Sequence, residues 1–464
     1  MSSPEHYDAA IIGVGQAGQP LALALARKGW KTAVIERAYL GGTCINYGCT
    51  PTKTLIASAE AVHLARRAGE YGIGVEGVQV HWAQVKARKD ALVASWRQGI
   101  ANRFAAEEHL TLVRGEAAFT GPNALVVHTP EGKTLALTAD QIFINTGARP
   151  RNPGFAGLDS VPWLTSASAL ELDEVPEHLL IAGGGYIALE FGQLFRRLGS
   201  RVTIVERGPQ ILGREDPEIA AELVRILSAE GIAFHVNANI AEVSRNAAGK
   251  ITLRVESDGQ GLPLEGSHLL VAVGVTPNTE ALNLAAANVR TDAHGYIKVD
   301  EKLATTGPGI YALGDVKGGP QFTHISYDDY RIVLAHLMGN PDATTAGRMV
   351  PYTVFTDPQL AHVGLHEREA RELGYPVKIA SIPMNYVARA IEIGRDQGLM
   401  KAVIDARTGQ ILGATVLGVE GGEVMAMLQL AMMGKLPYTV LRDATFAHPT
   451  LAESLNTLFS NVKE

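Results

Sequence analysis

Cys44 and Cys49 are the only cysteines among 464 residues, and they stand in the run Gly41-Gly42-Thr43-Cys44-Ile45-Asn46-Tyr47-Gly48-Cys49-Thr50-Pro51-Thr52-Lys53. One pair cannot form a disulfide framework, and two thiols with no further cysteine make a poor zinc site. Thiols approached by glycines and followed by a cation suit a disulfide that opens and closes. Five residues of regular helix rise about 7.5 Å, whereas a disulfide tolerates Cα atoms only about 4.4–6.8 Å apart. The backbone between the two thiols is therefore expected to leave helical geometry, with Gly48 best suited to let it. A bridge closed under that constraint should be easier to reduce than a structural one. The alternative is a pair of buried thiols that never bond, and the motifs around this loop argue against it.

Two glycine turns flank the rest of the chemistry. Tyr7–Ile12 reads as an apolar strand running into Gly13-Val14-Gly15-Gln16-Ala17-Gly18 and a helix over Gln19–Lys28, with a second strand, Lys31–Ile35, ending at Glu36. Glycines of this kind admit a pyrophosphate to a helix N-terminus, and the acid takes ribose hydroxyls. The pattern returns as Leu179–Ala182, Gly183-Gly184-Gly185-Tyr186-Ile187-Ala188, a helix, and Val202–Val205 ending at Glu206, with the same spacing from first glycine to acid. Two dinucleotides are thus expected on one chain. The cysteines follow Glu36 closely, so the first site must hold the group that meets the disulfide. A flavin can take a hydride and hand an electron pair to a disulfide, which places FAD at Gly13–Glu36 and the nicotinamide cofactor at Gly183–Glu206. Glu206 would repel a 2′-phosphate and favours NADH. Ala188 in place of the last glycine, and Arg207 after the acid, leave NADPH possible.

Composition narrows the class. Apolar residues make up 46% and charged residues 19%, as in a globular protein of several domains. A net charge of −7 without a Lys/Arg run argues against nucleic acid. Met1–Ala9 lacks the pattern of a secretory leader, and no apolar stretch reaches membrane-spanning length. With cysteines limited to one pair, a reducing, cytoplasmic setting is expected.

With these motifs the chain resembles the class I pyridine nucleotide–disulfide oxidoreductases, the group of dihydrolipoamide dehydrogenase, glutathione reductase and mercuric reductase. The resemblance runs from about Tyr7 to Ser460 and includes Asn145-Thr146-Gly147, Gly183–Glu190, Gly314-Asp315, and His448-Pro449-Thr450 with Glu453. It implies an α/β fold with two Rossmann-like domains and a C-terminal α+β dimerisation domain. The implied boundaries are 1–150 for FAD, 151–278 for NAD(P), 279–345 for a central segment completing the FAD site, and 346–464 for dimerisation. It further implies a homodimer. By the same resemblance Cys49 faces the flavin and Cys44 meets the substrate. Lys53 and Glu190 form an ion pair beside the flavin, and His448, oriented by Glu453, moves protons at the disulfide of the partner subunit. FAD contacts are implied at Gly13, Gly15, Gln16, Ala17, Gly18, Glu36, Arg37, Gly42, Thr43, Lys53, Ala117, Thr146, Gly147, Gly314, Asp315 and Thr323. Those to NAD(P) are implied at Gly183, Gly185, Tyr186, Ile187, Glu206, Arg207 and Gly274. Histidine suits proton transfer near neutral pH, and a carboxylate on its other nitrogen fixes the tautomer. Thr50-Pro51 reads as the N-cap and first turn of a helix whose positive end, with Lys53, favours a thiolate at Cys49.

The final acceptor is less legible. There is no C-terminal cysteine pair of the mercuric-reductase kind, and Thr50-Pro51-Thr52-Lys53 departs from the Ile-Pro-Ser-Lys usual in dihydrolipoamide dehydrogenases. Gln321–Arg331, Val350–Phe355 and Pro437–Asp443 resemble the branch of a bacterial flavoenzyme that protects against reactive chlorine and reduces copper(II). Copper(II), mercury(II), lipoamide and other disulfides all stay open as acceptors, as does a flavoprotein redox sensor without turnover. Met425, Met427, Met432 and Met433 read as core or interface filler and His324 as a hydrogen-bonding neighbour of the flavin site, so no resident metal site is expected.

Overall fold

The computed structural model describes residues 4–257 and 260–463. The chain divides into two compact units, the first made of the segment up to Thr54, Lys86–Arg151 and Gly274–Arg348, the second of Leu55–Val85, Asn152–Val273 and the chain from Met349 onward.

The first unit is built on a seven-stranded sheet. Leu110–Arg114, Thr32–Glu36, Glu5–Ile12 and Thr134–Ile144 lie side by side and parallel, Ile310–Ala312 also pairs with Thr134–Ile144 in parallel, and Ala124–His128 and Glu116–Gly121 add an antiparallel edge. Every residue of Thr32–Glu36 is buried, the continuous apolar signature of a strand covered on both faces. One face packs Ile11, Leu21, Leu25, Val34 and Phe143, the other Tyr7, Ile35, Phe119, Ile142 and Ile144. Helix Gly18–Ala26 makes the crossover between the first two strands. Ile12 lies in register with both Ile35 and Ile144, so the Gly13 turn, Glu36 and Asn145 all leave the sheet at the same end. That is where α/β sheets bind ligands.

The second unit repeats the theme. Ile232–His235, Arg201–Val205, His178–Ala182, His268–Val271 and Trp163–Leu164 form a parallel sheet, with helix Tyr186–Leu198 following its central strand. The same unit holds a six-stranded antiparallel sheet, ordered Tyr352–Val354, Gln359–Gly364, Ile411–Gly418, Leu399–Asp405, Val377–Pro383 and Val462–Lys463. Helix Gly421–Met433 contributes Val424, Met425 and Leu428 to the core of this sheet. Among the described residues no helix is long and apolar enough to cross a membrane.

Candidate active site

The dithiol loop is two helices broken at one joint. Gly42–Asn46 is helical, Tyr47 leaves the helical region at φ −139° and ψ 1°, and a new helix, Cys49–Arg66, begins at the second cysteine itself. The break falls where the spacing of the thiols demands it. Gly48 serves by close approach, since a Cβ there would stand 3.1 Å from Thr43 O. Thr50 is not the N-cap: it already lies in the first turn, where its carbonyl accepts from Thr54 Oγ1 at 2.7 Å. The correction brings Cys49 to the first helical position, where helix polarity favours negative charge. Cys49 Sγ lies 3.2 Å from Thr323 Oγ1. A hydrogen bond to Cys49, followed by burial, pushes the Cys44 thiol strongly up, which favours its protonated form.

This loop is seated on the first glycine turn. Gly42 has φ +60°, and a Cβ on it would stand 2.6 Å from Gly15 Cα. Gly41 N–H donates to Val14 O at 2.9 Å, and Gln16 Nε2 donates to Gly41 O at 3.2 Å. Thr43, in the same turn of helix, accepts at its carbonyl from Tyr47 N–H at 2.8 Å. Glu36 is fixed through both carboxylate oxygens, by Val14 N–H at 2.9 Å and Ala38 N–H at 2.8 Å. Next to it Arg37 pairs with Glu116 at 2.8 Å, and Ala117, which follows Glu116 on strand Glu116–Gly121, is buried. Helix Gly18–Ala26 has no side-chain cap from Ala17; Asn145 takes Gly18 N–H and Gly15 O takes Gln19 N–H, and the positive end of the helix lies at the glycine turn, where an anion is favoured.

The far wall comes from later segments. Thr146 Oγ1 donates to Asn278 O at 2.7 Å beside Gly147, and Gly314-Asp315 follows strand Ile310–Ala312. Burial raises Asp315 to about 6, opposed by Lys317 and reinforced by Cys49 and Asp329.

Sequence reasoning passed over three residues of this framework. Asn145 accepts from Gly18 N–H at 2.9 Å and donates to Leu313 O at 2.9 Å, tying the glycine turn to the Asp315 segment. Asn46 donates to Leu40 O and Gly42 O and accepts from Arg97, bracing the dithiol helix. Asp329, fully buried, accepts from Gly314 N–H at 2.8 Å and pairs with Arg348 at 2.7 Å and Lys317 at 3.3 Å. Asn145, just after strand Thr134–Ile144 and two residues before Gly147, carried the one available signal, whereas Asn46 and Asp329 lie in helices.

In the second unit Gly183 has φ +105°, and Glu206 accepts from Gly184 N–H and Gly208 N–H, both at 2.6 Å. Arg207 lies between the acid and Gly208 in the chain. Helix Tyr186–Leu198 starts at Gly185 without a side-chain cap, with Tyr186 exposed, Ile187 half-buried and Ala188 fully buried. Glu190, 3% exposed, accepts from Phe355 N–H at 2.9 Å. Lys53 belongs to the first unit, and so does Gly274, whose carbonyl accepts from Arg151 N–H at 3.0 Å. His448 is exposed, and its Nδ1 lies 2.8 Å from Glu453 Oε2. A carboxylate only accepts, so Nδ1 carries the hydrogen and Nε2 is the nitrogen open to a substrate. His324 is exposed and stacks on Phe322 at 5.4 Å. Met425 is buried, whereas Met433 is 61% exposed.

The profile of the pyridine nucleotide-disulphide oxidoreductases matches residues 7–329, and that of their dimerisation domain residues 350–459. The chain belongs to this family. It is 40% identical over 461 residues to the probable pyridine nucleotide-disulfide oxidoreductase RclA of Escherichia coli K12, covering 98% of this chain and 99% of that one. It is 36% identical to a mercuric reductase of Staphylococcus aureus, over 97% of this chain and 81% of the relative. Against a dihydrolipoyl dehydrogenase of Chlorobaculum tepidum the identity is 35%, over 97% and 95%. Among solved structures, the Cu(II) complex of the HOCl-induced flavoprotein disulfide reductase RclA from E. coli superposes with a TM-score of 0.91 at 38% identity, covering 99% of this chain and all of that one.

The chain is therefore a flavoprotein disulfide oxidoreductase, an enzyme that uses FAD and NAD(P)H. Its residues fit both groups: each glycine turn opens on a helix whose N-cap residue supplies no side-chain cap, and each is joined through a backbone amide to an acid at the end of the next strand.

Proposed function

We propose that the chain draws electrons from NADH and delivers them through the Cys44–Cys49 pair to a metal ion, copper(II) first and mercury(II) second. What supports this most directly is the 40% identity to RclA along nearly the whole chain, with a copper(II) complex solved for a neighbour at 38% identity. The Gln321–Arg331 segment, whose Asp329 anchors Gly314, adds to it.

Under this reading the Gly13–Gly18 turn and Glu36 hold the pyrophosphate and ribose of FAD, Asp315 its ribityl chain, and Gly183–Ile187 with Glu206 the nicotinamide cofactor. FAD held there would supply a hydride acceptor for NADH and a two-electron donor to the disulfide. The S–S bond breaks, and with one proton the pair becomes the Cys44 thiol and the Cys49 thiolate. Cys49 and burial favour the proton on Cys44, while Thr323 and the helix start stabilise charge on Cys49. Oxidation by two copper(II) ions remakes the S–S bond and yields two copper(I) ions and one proton. The Glu206 carboxylate, fixed by two amides, would repel a 2′-phosphate, so NADH is the preferred donor.

The His448–Glu453 pair favours a second reading, a dithiol or disulfide acceptor of the dihydrolipoamide kind, because a leaving or attacking sulfur needs a proton and a metal ion does not. Steady-state NADH oxidation by the holoenzyme with copper(II), mercury(II), lipoamide and glutathione disulfide separates the two. The metal ions should give the higher kcat/KM, and Cys44→Ser should abolish their reduction. A higher kcat/KM with lipoamide would overturn the metal reading. Glu206→Gln should narrow the preference for NADH, and a wild-type preference for NADPH would assign the ribose to Arg207.

A further inference from the structure

The second unit contains a set of buried ligand-type side chains that none of these steps uses. Glu215 lies just before helix Pro217–Ala229, His362 is on strand Gln359–Gly364, and His366 stands at the start of helix Glu367–Glu372. They are 5%, 2% and 5% exposed. One ligand atom from each lies within 4.8 Å of the other two.

Two of these side chains carry an enclosed atom with no hydrogen-bond partner: Glu215 Oε2 and His366 Nδ1. Such atoms are rare in protein interiors, and two in one buried cluster call for a partner such as a bound ion. Their outer atoms are held. Tyr352 Oη hydrogen-bonds Glu215 Oε1 and lies 3.2 Å from His366 Nε2. A single relay satisfies both contacts, with His366 Nε2–H donating to Tyr352 and Tyr352 O–H donating to Glu215. This is how ligating side chains are oriented from behind in metal sites.

His362 lies 3.0 Å from Gly364 O through Nε2 and 2.8 Å from Thr415 Oγ1 through Nδ1. A carbonyl only accepts, so Nε2 carries the hydrogen and Nδ1 has the lone pair. Its ring stacks on His366 at 3.7 Å. Burial pushes both histidines down, keeping them in the neutral form that binds metals.

The neighbouring carboxylates Asp216, Glu218 and Glu367 offer no comparable opening. The Lys401 ammonium already sits among them, 2.8 Å from Asp216 and 2.7 Å from Glu367, and bonded to Glu218.

We propose that Glu215, His362 and His366 bind a divalent transition metal of the zinc class. Two imidazoles and one carboxylate form a donor set suited to zinc(II). Glu215 Oε2 and His366 Nδ1 are the atoms left without hydrogen-bond partners and would be the ligands from these two side chains. His362 would join through Nδ1 in exchange for the Thr415 bond, keeping Nε2–H on the Gly364 carbonyl. The stacked rings must tilt apart for both lone pairs to reach one ion. This site is independent of the electron acceptor.

The test uses FAD-loaded enzyme carrying Cys44→Ser and Cys49→Ser, so that the dithiol cannot take the metal. After dialysis against zinc(II) with a weak chelator, metal analysis should find about one zinc per chain. His366→Ala or Glu215→Gln on that background should lower retention by roughly tenfold or more, the scale expected for a lost ligand. Zinc should raise the melting temperature of the parent and leave the two variants unmoved. X-ray absorption at the zinc edge should show nitrogen and oxygen neighbours with imidazole scattering, a readout that needs no variant to fold. A parent that retains no zinc, variants that retain as much as the parent, or a zinc shell without imidazole would each overturn the site.

Discussion

At the residue scale the two sulfurs are unequal. Cys49 begins a helix and meets the Thr323 hydroxyl, whereas Cys44 is pushed toward its protonated form by Cys49 and by burial. Two-electron reduction of the holoenzyme should therefore give the long-wavelength absorbance of a thiolate beside a flavin. Cys44→Ser should keep that band and Cys49→Ser should lose it, with most turnover gone in both. Thr323→Val should weaken the band at neutral pH and recover it at higher pH, because a donor to the charged sulfur is removed. The reverse pattern for the two serine variants would exchange the roles of the cysteines. Asp315 gives a second residue-scale expectation. Burial raises it from 3.8 to about 6 in the protein without FAD. Folding thus favours the protonated carboxyl, and this contribution to stability, full below about pH 4, is lost as pH climbs through about 6. Asp315→Asn removes the titration. The melting temperature of the apo variant, less that of the apo parent, should rise between about pH 4.5 and 7. The same variant should release FAD more readily, since the charged acceptor for ribityl hydroxyls is gone. A difference that stays flat with pH would mean that Asp315 is ionised throughout.

At the element scale, periodicity and glycine spacing located both dinucleotide units because turn, strand and acid are local in sequence. Thr32–Glu36 lies within one residue of its expected bounds, and the helix after the first glycine turn runs over Gly18–Ala26 where Gln19–Lys28 was read. The start of the helix after the dithiol was misread. Thr50-Pro51 has the look of a cap, but the need to bring the two sulfurs together starts the helix at Cys49. Asn145, Asn46 and Asp329 were not legible as site residues, since each has partners distant in sequence that only the fold brings near: Gly18 and Leu313 for Asn145, Arg97 for Asn46, and Gly314, Lys317 and Arg348 for Asp329. Glu215, His362 and His366 are harder still: Glu215 is 147 residues from His362 (362 − 215), and the two histidines, four residues apart, straddle a strand end and a helix start instead of sharing one helix face. Gly42 shows how one element seats another. Gly42→Ala would force a methyl to within 2.6 Å of Gly15 Cα at a backbone φ of +60°. Backbone cannot yield as a side chain can, so the dithiol helix must move off the glycine turn. The variant should melt lower, by an amount on the order of 1–3 kcal/mol in stability, and purify with less FAD. Retention of full flavin content and melting temperature would show that the two turns are not seated on one another.

At the scale of the whole molecule, the question is whether one chain holds a complete disulfide-exchange site. Residues 350–459 match the family's dimerisation domain, and that segment carries the exposed His448–Glu453 pair. Glu453 holds Nδ1, so Nε2 is the nitrogen open to a reacting group, which the proposed disulfide exchange would make a sulfur. If that sulfur belongs to the partner subunit, the enzyme is a two-fold dimer with two equivalent sites, each assembled from both chains. Complementation then follows. A Cys44→Ser chain lacks the exchanging thiol, and a His448→Ala chain lacks the base, so each homodimer should be inactive toward a dithiol or disulfide. In a mixed dimer one site carries both defects and the other carries neither. Mixing the two variants under conditions of subunit exchange should restore about half of the parent activity per mixed dimer, because one intact site in each pair turns over alone. Unexchanged mixtures should stay inactive. Copper(II) reduction should depend on His448 much less, because electrons leave the dithiol to a metal without protonating a sulfur leaving group. Verified mixed dimers with no recovered disulfide activity would refute the shared site and place the proton donor within the chain that supplies the thiols.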